Sequence, residues 1–151
     1  MASLARVIAE KYAIDIVPVA GAGAAGGMGG AFRAFLGATL KRGIDMVLDA
    51  IDFDTIIQKA DLVITGEGKV DFQTAKGKTA AGVLNRAKKQ HIPVVAIGGC
   101  VEMCDSLVQM GFAGIYPILE EKVPLEIAMQ RDFAMNNVRK TVARIVPNYL
   151  G

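Results

Sequence analysis

The order of apolar and polar positions predicts helices in the first third of the chain. Residues 3–12 repeat apolar side chains at close to helical spacing, and Ser3 stands where a helix N-cap is expected. Residues 14–20 form a short apolar run that predicts a strand, and a glycine-rich stretch over residues 21–30 follows it. A strand, a flexible glycine segment and a helix are therefore expected in succession.

The helices after the glycine-rich stretch are expected to be short. The first should end at residues 41–43, where two cations precede a glycine. Two more helices are expected over residues 44–50 and 54–59, with Asp52 capping the second. We place the end of this segment near Ala60, because the pattern changes there.

From residue 61 onward, β-type apolar runs alternate with helices. Strands are expected over 61–65, 93–97 and 114–119, and helices over 74–90, 105–110, 124–130 and 132–146. Continuous apolar strands separated by helices are typical of a parallel sheet with helices on both faces, so a three-layer α/β fold is predicted. Ligands of such sheets bind outside the carboxyl ends of the strands. Those ends are expected at Gly66-Glu67-Gly68, Gly98-Gly99 and Leu119-Glu120.

Composition and charge narrow the classes of function. The 151 residues are 52% apolar with a formal net charge of only +2 and scattered cations, so no nucleic-acid-binding groove is expected. The N-terminus lacks the uncharged core of a secretory signal, and the longest uncharged run, residues 16–32, is broken by glycines, so no membrane span is expected. Cys100 and Cys104 make no disulfide framework. A cytoplasmic protein with reduced thiols is predicted.

The glycine-rich stretch contains G-x-G-x-x-G between the predicted strand and helix. This is the outline of a dinucleotide-binding fingerprint, as found in oxidoreductases. The fingerprint also requires an acidic residue at the end of a second strand, whereas Asp45 and Asp49 fall in a predicted helix. Two other interpretations are close packing of a helix and binding of an anion or substrate by backbone N–H groups. The candidates for such binding are Gly21, Gly23, Gly26 and Gly27.

Polar residues concentrate just after the first strand of the α/β segment. Carboxylates there can hold Mg²⁺ or accept a hydroxyl proton, lysines can neutralise phosphate, and Gln or Thr can orient a small polyol. The segment is not a Walker A loop, because Phe72 stands where that loop requires its first glycine. The alternative is a solvated loop with scattered charge. The candidate residues are Gly66, Glu67, Gly68, Lys69, Asp71, Gln73, Thr74 and Lys78.

Two segments together resemble the signature of the glycerate kinase family. One is Gly-Ala-Gly-Ala-Ala-Gly-Gly at residues 21–27, and the other is Asp-Leu-Val-Ile-Thr-Gly-Glu-Gly-Lys-Val-Asp-Phe-Gln-Thr at 61–74, followed by Gly-Lys at 77–78. The resemblance extends from the N-terminal helix to about Tyr116 with the same order and spacing. It implies a kinase that uses ATP and Mg²⁺ to convert D-glycerate to 2-phosphoglycerate or 3-phosphoglycerate.

The resemblance also implies two α/β lobes with the active site in the cleft between them. Residues 61–151 would be the C-terminal part of a flavodoxin-like lobe, and residues 1–60 the end of a second, mixed lobe with its glycine-rich segment. Family members are much longer, and the part that this chain lacks is N-terminal. A bare sheet edge is an aggregation liability, so we expect the missing N-terminal part or a homo-oligomer contact to cover it.

Roles for individual residues follow from the resemblance as expectations. Asp71 would lie nearest the glycerate hydroxyl, as base or through Mg²⁺, with Glu67 as a second metal ligand. Lys69 and Lys78 would bind phosphate or the glycerate carboxylate. The residues that would orient the substrate are Gln73 and Thr74. Two alternatives stay open: a non-catalytic folded remnant that binds a partner or nucleotide, and a dinucleotide-binding domain of an oxidoreductase.

Overall fold

The computed structural model describes residues 2–77 and 79–150 and shows an α/β protein. The chain divides into two compact units, Met1–Met46 and Val47–Gly151. The boundary predicted near Ala60 concerns the lobes of a longer protein, so it stays a prediction. Lys78, one of the catalytic candidates, lies outside the described residues. No described helix has both the length and the apolar composition needed to cross a membrane.

Helices and turns make up the first unit as far as it is described. Helix α1 spans Ala2–Tyr12, α2 spans Ala24–Leu36, and α3, Gly43–Ala50, begins at the end of the unit. Because α1 already includes Ala2, Ser3 lies inside the helix and is not its cap. The apolar core of this unit consists of Ala5, Ile8 and Ile16, with Leu4, Ile14 and Ala34 packed against it.

The strand predicted over residues 14–20 is wrong. Residues 14–16 are irregular and residues 17–20 form turns, in which the Val19 N–H donates to the Ile16 carbonyl at 3.2 Å and the Ala22 N–H donates to the Val19 carbonyl at 3.0 Å. Pro18 has no N–H to contribute to a ladder, and the described part of this unit contains no strand that could pair with the segment. An apolar run signals burial, which Ile16 achieves fully, but it does not specify the backbone conformation.

Helix α2 ends earlier than the predicted position at residues 41–43. Gly37 adopts the left-handed conformation, with φ of 62°, and its N–H caps the last turn of α2. Gly43 begins α3 rather than ending α2. Helix α4, Phe53–Ile56, follows Asp52, whose side chain makes no capping hydrogen bond. The left-handed Gly37 therefore ends α2. The expected charged signals, the cations at residues 41–42 and the Asp52 side chain, do not set these helix boundaries.

Three parallel strands form the sheet of the second unit, in the order β1, β2, β3. They span Val63–Val70, Val94–Val101 and Gly114–Pro117. The other elements of this unit are α5, Thr79–Lys88, α6, Asp105–Met110, α7, Leu125–Ala128, α8, Arg131–Ile145, and 3-10 turns at Thr74–Lys76 and Val146–Asn148. Val94, Val95 and Ala96 are all buried, so β2 is covered on both faces there. The predicted α/β class with a parallel sheet is confirmed.

Strands β1 and β2 continue through the glycines at which their ends were predicted. In the parallel ladder Glu67 lies opposite Gly98. A Cβ atom on Gly99 would lie 2.8 Å from the Gly68 carbonyl oxygen, so glycine at 99 allows the two backbones to come this close. These glycines therefore permit pairing rather than ending the strands.

The single helix predicted over residues 74–90 is two separate elements. The 3-10 turn Thr74–Lys76 ends at Gly77, whose φ of 91° is left-handed, and α5 begins at Thr79. The residues of α5 that are buried are Ala80, Ala81, Gly82, Val83, Leu84 and Ala87. The break at Gly77 allows the polar segment to turn back before α5 begins.

Candidate functional site

The polar segment folds around the carboxylate of Glu67. Its Oε1 accepts the N–H of Ala80, in the first turn of α5, at 3.1 Å, and its Oε2 accepts the Thr74 hydroxyl at 2.9 Å. Thr74 is fully buried. A carboxylate at this position satisfies an N–H that has no partner within the helix and is favoured by the helix dipole. Glu67 thus joins the loop to the start of α5 with both of its oxygens.

Asp71 closes the turn that follows β1. The residue is only 7% exposed, and its Oδ1 accepts the backbone N–H of Gln73 at 2.8 Å. Its carbonyl accepts the Thr74 N–H at 3.0 Å, and the Thr74 hydroxyl oxygen accepts the Asp71 N–H at 3.3 Å. Such side-chain bonds to the backbone two residues on are typical of aspartate in turns. They hold the carboxylate in one orientation.

Lys69 lies between two carboxylates. Its Nζ is 2.8 Å from Glu102 Oε1 and 3.5 Å from Asp71 Oδ2. The parallel register brings these groups together, because Lys69 lies opposite Cys100 and the N–H of Glu102 donates to the Val70 carbonyl at 2.9 Å. The Lys69 side chain remains 48% exposed, so its ammonium is accessible to an anionic ligand.

The two carboxylates also stabilise the charge on Lys69. The hydrogen bond to Glu102 raises the pKa of Lys69 above its ordinary value of 10.5, and the charge of Asp71 adds to this effect, while partial desolvation opposes it. Lys69 is therefore cationic at neutral pH, the state that binds phosphate or carboxylate. Exposed ion pairs contribute little to stability, so the importance of this pair lies in placing a cation beside Asp71.

Glu67 and Asp71 were both predicted to bind Mg²⁺, but their contacts make Asp71 the better suited ligand. Both oxygens of Glu67 already accept hydrogen bonds that hold the loop, which favours a structural role. Asp71 Oδ2 instead faces the exposed ammonium of Lys69. Mg²⁺ is often held by one or two carboxylates, with water and substrate phosphates at its other positions. Asp71 fits that requirement. Across residues 2–77 and 79–150 there is no cluster of three or more potential metal-ligating side chains, so such an ion would depend on the phosphates.

A cavity of about 760 Å³ opens at the carboxyl ends of the strands. Gly68 of β1 and Gly99 and Cys100 of β2 line it, together with residues 117–119 at the end of β3. Its volume falls in the range of small-molecule sites, roughly 300–1,000 Å³. Glu67 lines the cavity as well as holding the loop, so the cavity and the loop adjoin.

The candidate glycines of the first unit divide into two groups. Gly21, Gly26 and Gly27 have φ values of 87°, 68° and 105°, and Gly26 and Gly27 produce a sharp turn within α2. Gly23 has an ordinary φ of −75°, and nothing lies within 4 Å of a Cβ atom placed on it. The positive φ angles explain why glycine occupies the three positions of the first group. Gly23 has no such explanation and stays a candidate for backbone binding of a ligand.

The dinucleotide-binding interpretation is weakened by the local structure. The fingerprint requires a strand before its glycines, and residues 14–20 do not form one. Gly21 and Gly23 line a pocket of about 350 Å³ that has no charged side chain among its described lining residues. Nothing in this pocket would neutralise a pyrophosphate except backbone N–H groups.

Glu102 belongs to the site although the sequence does not identify it. It is distant from Lys69 in the chain and carries no motif of its own. Only the register between β1 and β2 brings the two side chains together. The one available signal is its position directly after the second strand, where parallel sheets commonly place ligand-binding residues.

Comparison with known proteins relates the chain to one family. The sequence profile described as the glycerate kinase family matches residues 1–149. A glycerate kinase from Bacillus subtilis (strain 168) is 50% identical over 111 residues, 73% of this chain. A glycerate 2-kinase from Escherichia coli (strain K12) is 41% identical over 145 residues, 92% of this chain. A solved structure from Salmonella typhimurium LT2, described as a candidate glycerate kinase 2, covers 97% of this chain with a TM-score of 0.62 and 36% identity.

The chain spans about a third of the length of these proteins. The matched region is 29% of the Bacillus subtilis protein, 38% of the Escherichia coli protein and 36% of the Salmonella chain. A cleft built from all parts of such a protein would need residues that this chain does not contain.

Proposed function

The chain belongs to the glycerate kinase family, and we propose that it supplies part of an active site that phosphorylates D-glycerate with ATP. The product would be 2-phosphoglycerate or 3-phosphoglycerate. Relatives named as glycerate kinases support the reaction class, and their greater length supports a contribution to a larger site. A cytoplasmic location is part of the same proposal.

The observation that carries the proposal is the arrangement around Asp71. A nearly buried carboxylate is oriented by the turn, and a cation held by Glu102 lies 3.5 Å from its outer oxygen. Phosphoryl transfer depends mainly on positioning and on stabilisation of negative charge, and these are the two features present here. The arrangement lies at the carboxyl edge of a parallel sheet, where ligands of this fold class bind.

In the proposed reaction a glycerate hydroxyl oxygen attacks the γ-phosphorus of ATP, and the bond from phosphorus to the ADP oxygen breaks. Asp71 Oδ2 accepts the hydroxyl proton, while Lys69 stabilises charge on the transferred group or binds the glycerate carboxylate. Thr74 is fully buried and bonded to Glu67, so it holds the loop rather than contacting substrate. Gln73 is exposed and remains the candidate for orienting substrate.

Mg²⁺, when bound with ATP, would neutralise charge on the phosphates. As an alternative to acting as the base, Asp71 is the carboxylate of this loop that is suited to hold the ion. Lys78 remains a candidate for binding phosphate by virtue of its position in the sequence motif. The backbone N–H groups near Gly21 and Gly23 remain candidates for binding an anion.

A coupled assay of ADP release with D-glycerate and Mg-ATP tests the proposal on this chain. The matched control is the Asp71→Asn chain, together with reactions that lack glycerate. Glycerate-dependent turnover that is lost in Asp71→Asn would support the assignment of the site. Turnover that persists in Asp71→Asn would show that the reacting carboxylate lies elsewhere.

A second candidate, a folded remnant that binds nucleotide without catalysis, is favoured by the length of the chain relative to its relatives. Isothermal titration with Mg-ATP and with D-glycerate separates the two. Binding without turnover, both alone and after addition of the remaining N-terminal part of a relative, would support the remnant. Turnover restored by that addition would support a divided active site.

A further inference from the structure

The cavity at the carboxyl ends of the strands has walls of two kinds. One wall is backbone-rich, formed by Gly68 and Gly99. The other part of the lining is apolar and includes Leu125 and Met129, which lie one helical turn apart at α7. A lining of glycine backbone and aliphatic side chains suits a planar ring, because glycine permits close approach and aliphatic groups pack on ring faces.

Two large side chains of the apolar lining are mostly exposed to water. Leu125 and Met129 are each 74% exposed, although both line the cavity. Exposed apolar groups gathered at a concave surface commonly mark a ligand or partner site. A ligand that filled the cavity would remove these two side chains from water, which provides the driving force for binding its apolar part.

The charges around the cavity determine which part of a nucleotide fits. The ionisable groups among its described lining residues are the carboxylates of Glu67, Glu120 and Glu121 and the ammonium of Lys122, besides the Cys100 thiol. This balance repels a polyphosphate. It suits a neutral base and the hydroxyl groups of a ribose, which can donate hydrogen bonds to carboxylates. Lys69 lies on the same face of β1 as Glu67 and offers a cation for phosphates that leave the cavity.

We propose that this cavity binds the base and ribose of the nucleotide, with the phosphates directed towards Lys69 and Asp71. The inference rests on the proposed kinase function for the identity of the ligand as a nucleotide. Its structural basis is independent of that function, since it consists of the position, volume, lining and charge of the cavity.

The Cys100 thiol provides a direct test, because it lines the cavity and is exposed. Cys104→Ser leaves Cys100 as the single cysteine of the chain, and the rate of its alkylation by iodoacetamide can be followed by mass spectrometry. ADP at ten times its Kd should slow alkylation about tenfold, since the ligand-free fraction falls by that factor. Pyrophosphate, which lacks the base and ribose, should leave the rate unchanged.

A matched pair of variants tests the apolar wall. Met129→Glu places a fourth carboxylate at the cavity and should weaken ADP binding by about tenfold or more, because it replaces apolar contact with repulsion. Met46→Glu makes the same chemical change at another exposed methionine that does not line the cavity, and should leave the Kd for ADP unchanged. Both sites are exposed, so neither variant should impair folding.

Several results would overturn the proposal. These are ADP binding that leaves Cys100 fully reactive, equal protection by pyrophosphate, equal effects of the two methionine variants, or no ADP binding by the folded chain at millimolar concentration. Protection of Cys100 that rises with protein concentration and needs no nucleotide would show that a second copy of the chain occupies the cavity instead.

The assignment of the cavity and the kinase proposal can fail independently of each other. Protection of Cys100 by ADP in a chain that shows no glycerate-dependent turnover would support the cavity and count against catalysis by this chain. Turnover with Cys100 fully reactive would support the kinase and overturn the assignment of the cavity.

Discussion

At the residue scale, contacts distinguish the side chains that only hold the loop from those that can also meet a ligand. Thr74 is buried and bonds to Glu67, so it only holds the loop, whereas the nearly buried Asp71 uses Oδ1 to define the turn and directs Oδ2 towards Lys69. Lys69 and Phe72 are exposed, and the Nζ of Lys76 lies 4.9 Å from the centre of the Phe72 ring. The resemblance to the family does not distinguish among the polar residues of the loop, whereas their contacts in the structure give them different roles.

Replacing Asp71 by asparagine should remove the proposed base while keeping the turn. The amide oxygen can still accept the Gln73 N–H, so the thermal unfolding midpoint should change little. In a full-length enzyme that contains this chain, kcat should fall by about 100-fold or more, the usual contribution of a general base. Steady-state kinetics measure the effect, and Asp61→Asn, at an exposed position before β1, is the control. Near-normal kcat in Asp71→Asn would contradict the assignment.

Replacing Glu102 by glutamine should lower the pKa of Lys69 towards its ordinary value, because Glu102 is the main cause of the increase. A raised lysine pKa stabilises the fold fully below the ordinary value of 10.5, and this contribution is lost as the pH rises through the raised value. The substitution should therefore alter the pH dependence of stability only in the alkaline range. NMR titration of the lysine side chains measures the pKa directly. A Lys69 pKa that is the same in the variant would show that the ion pair does not persist in solution.

At the element scale, the glycines of α2 serve packing as well as conformation. A Cβ atom on Gly30 would lie 2.7 Å from Ile16 Cδ1 and 3.2 Å from the Ala22 carbonyl oxygen. A Cβ atom on Gly29 would lie even closer to the Gly21 carbonyl oxygen. Part of the glycine-rich stretch therefore lets α2 pack against the segment before it, as one of the open interpretations of the sequence proposed.

Gly30→Ala should destabilise the chain by about 1–3 kcal/mol, since the added methyl group overpacks a site beside the fully buried Ile16. Gly23→Ala is the matched control, because its φ is compatible with alanine and the space around it is open. That control should be neutral, or more stable by up to about 1 kcal/mol. Urea unfolding at neutral pH compares the two. Equal midpoints would show that α2 can shift to relieve the contact. A loss of substrate binding in Gly23→Ala without loss of stability would assign Gly23 to the site.

At the scale of the whole molecule, the sheet is small for its class. Three strands are found among the described residues, and β1 and β3 are the outer ones. An outer strand exposes backbone groups that favour pairing with another strand. The relatives extend well beyond the region that this chain matches, and we propose that part of this additional sequence pairs with the sheet edge.

Mixing this chain with the separately produced N-terminal part of a relative should therefore give a complex with glycerate kinase activity. Sedimentation velocity would measure association, and the coupled ADP assay would measure turnover. The chain alone is expected to self-associate, because the same edge can pair with a second copy. A chain that stays monomeric and does not bind the N-terminal part would contradict the expectation of a partner.

Much of the second unit could be predicted because its signals are local and continuous. Helix α6 has the predicted bounds, and the three strands lie where apolar β-type runs occur. The predicted strand at residues 14–20 and the predicted helix end at 41–43 failed for one reason. Burial of Ile16 and the left-handed Gly37 depend on what packs around them, and local periodicity does not contain that information.

The sequence by itself determined the family and the α/β class and indicated the segment that we propose carries the chemistry, because long motifs and strand–helix alternation are local features of the chain. Only the tertiary structure decided that Glu67 holds the loop, that Glu102 fixes Lys69 beside Asp71, and that a cavity lies at the strand ends. These features join residues far apart in sequence. The parallel register of β1 and β2 creates them, and register follows from how the sheet packs rather than from any single segment.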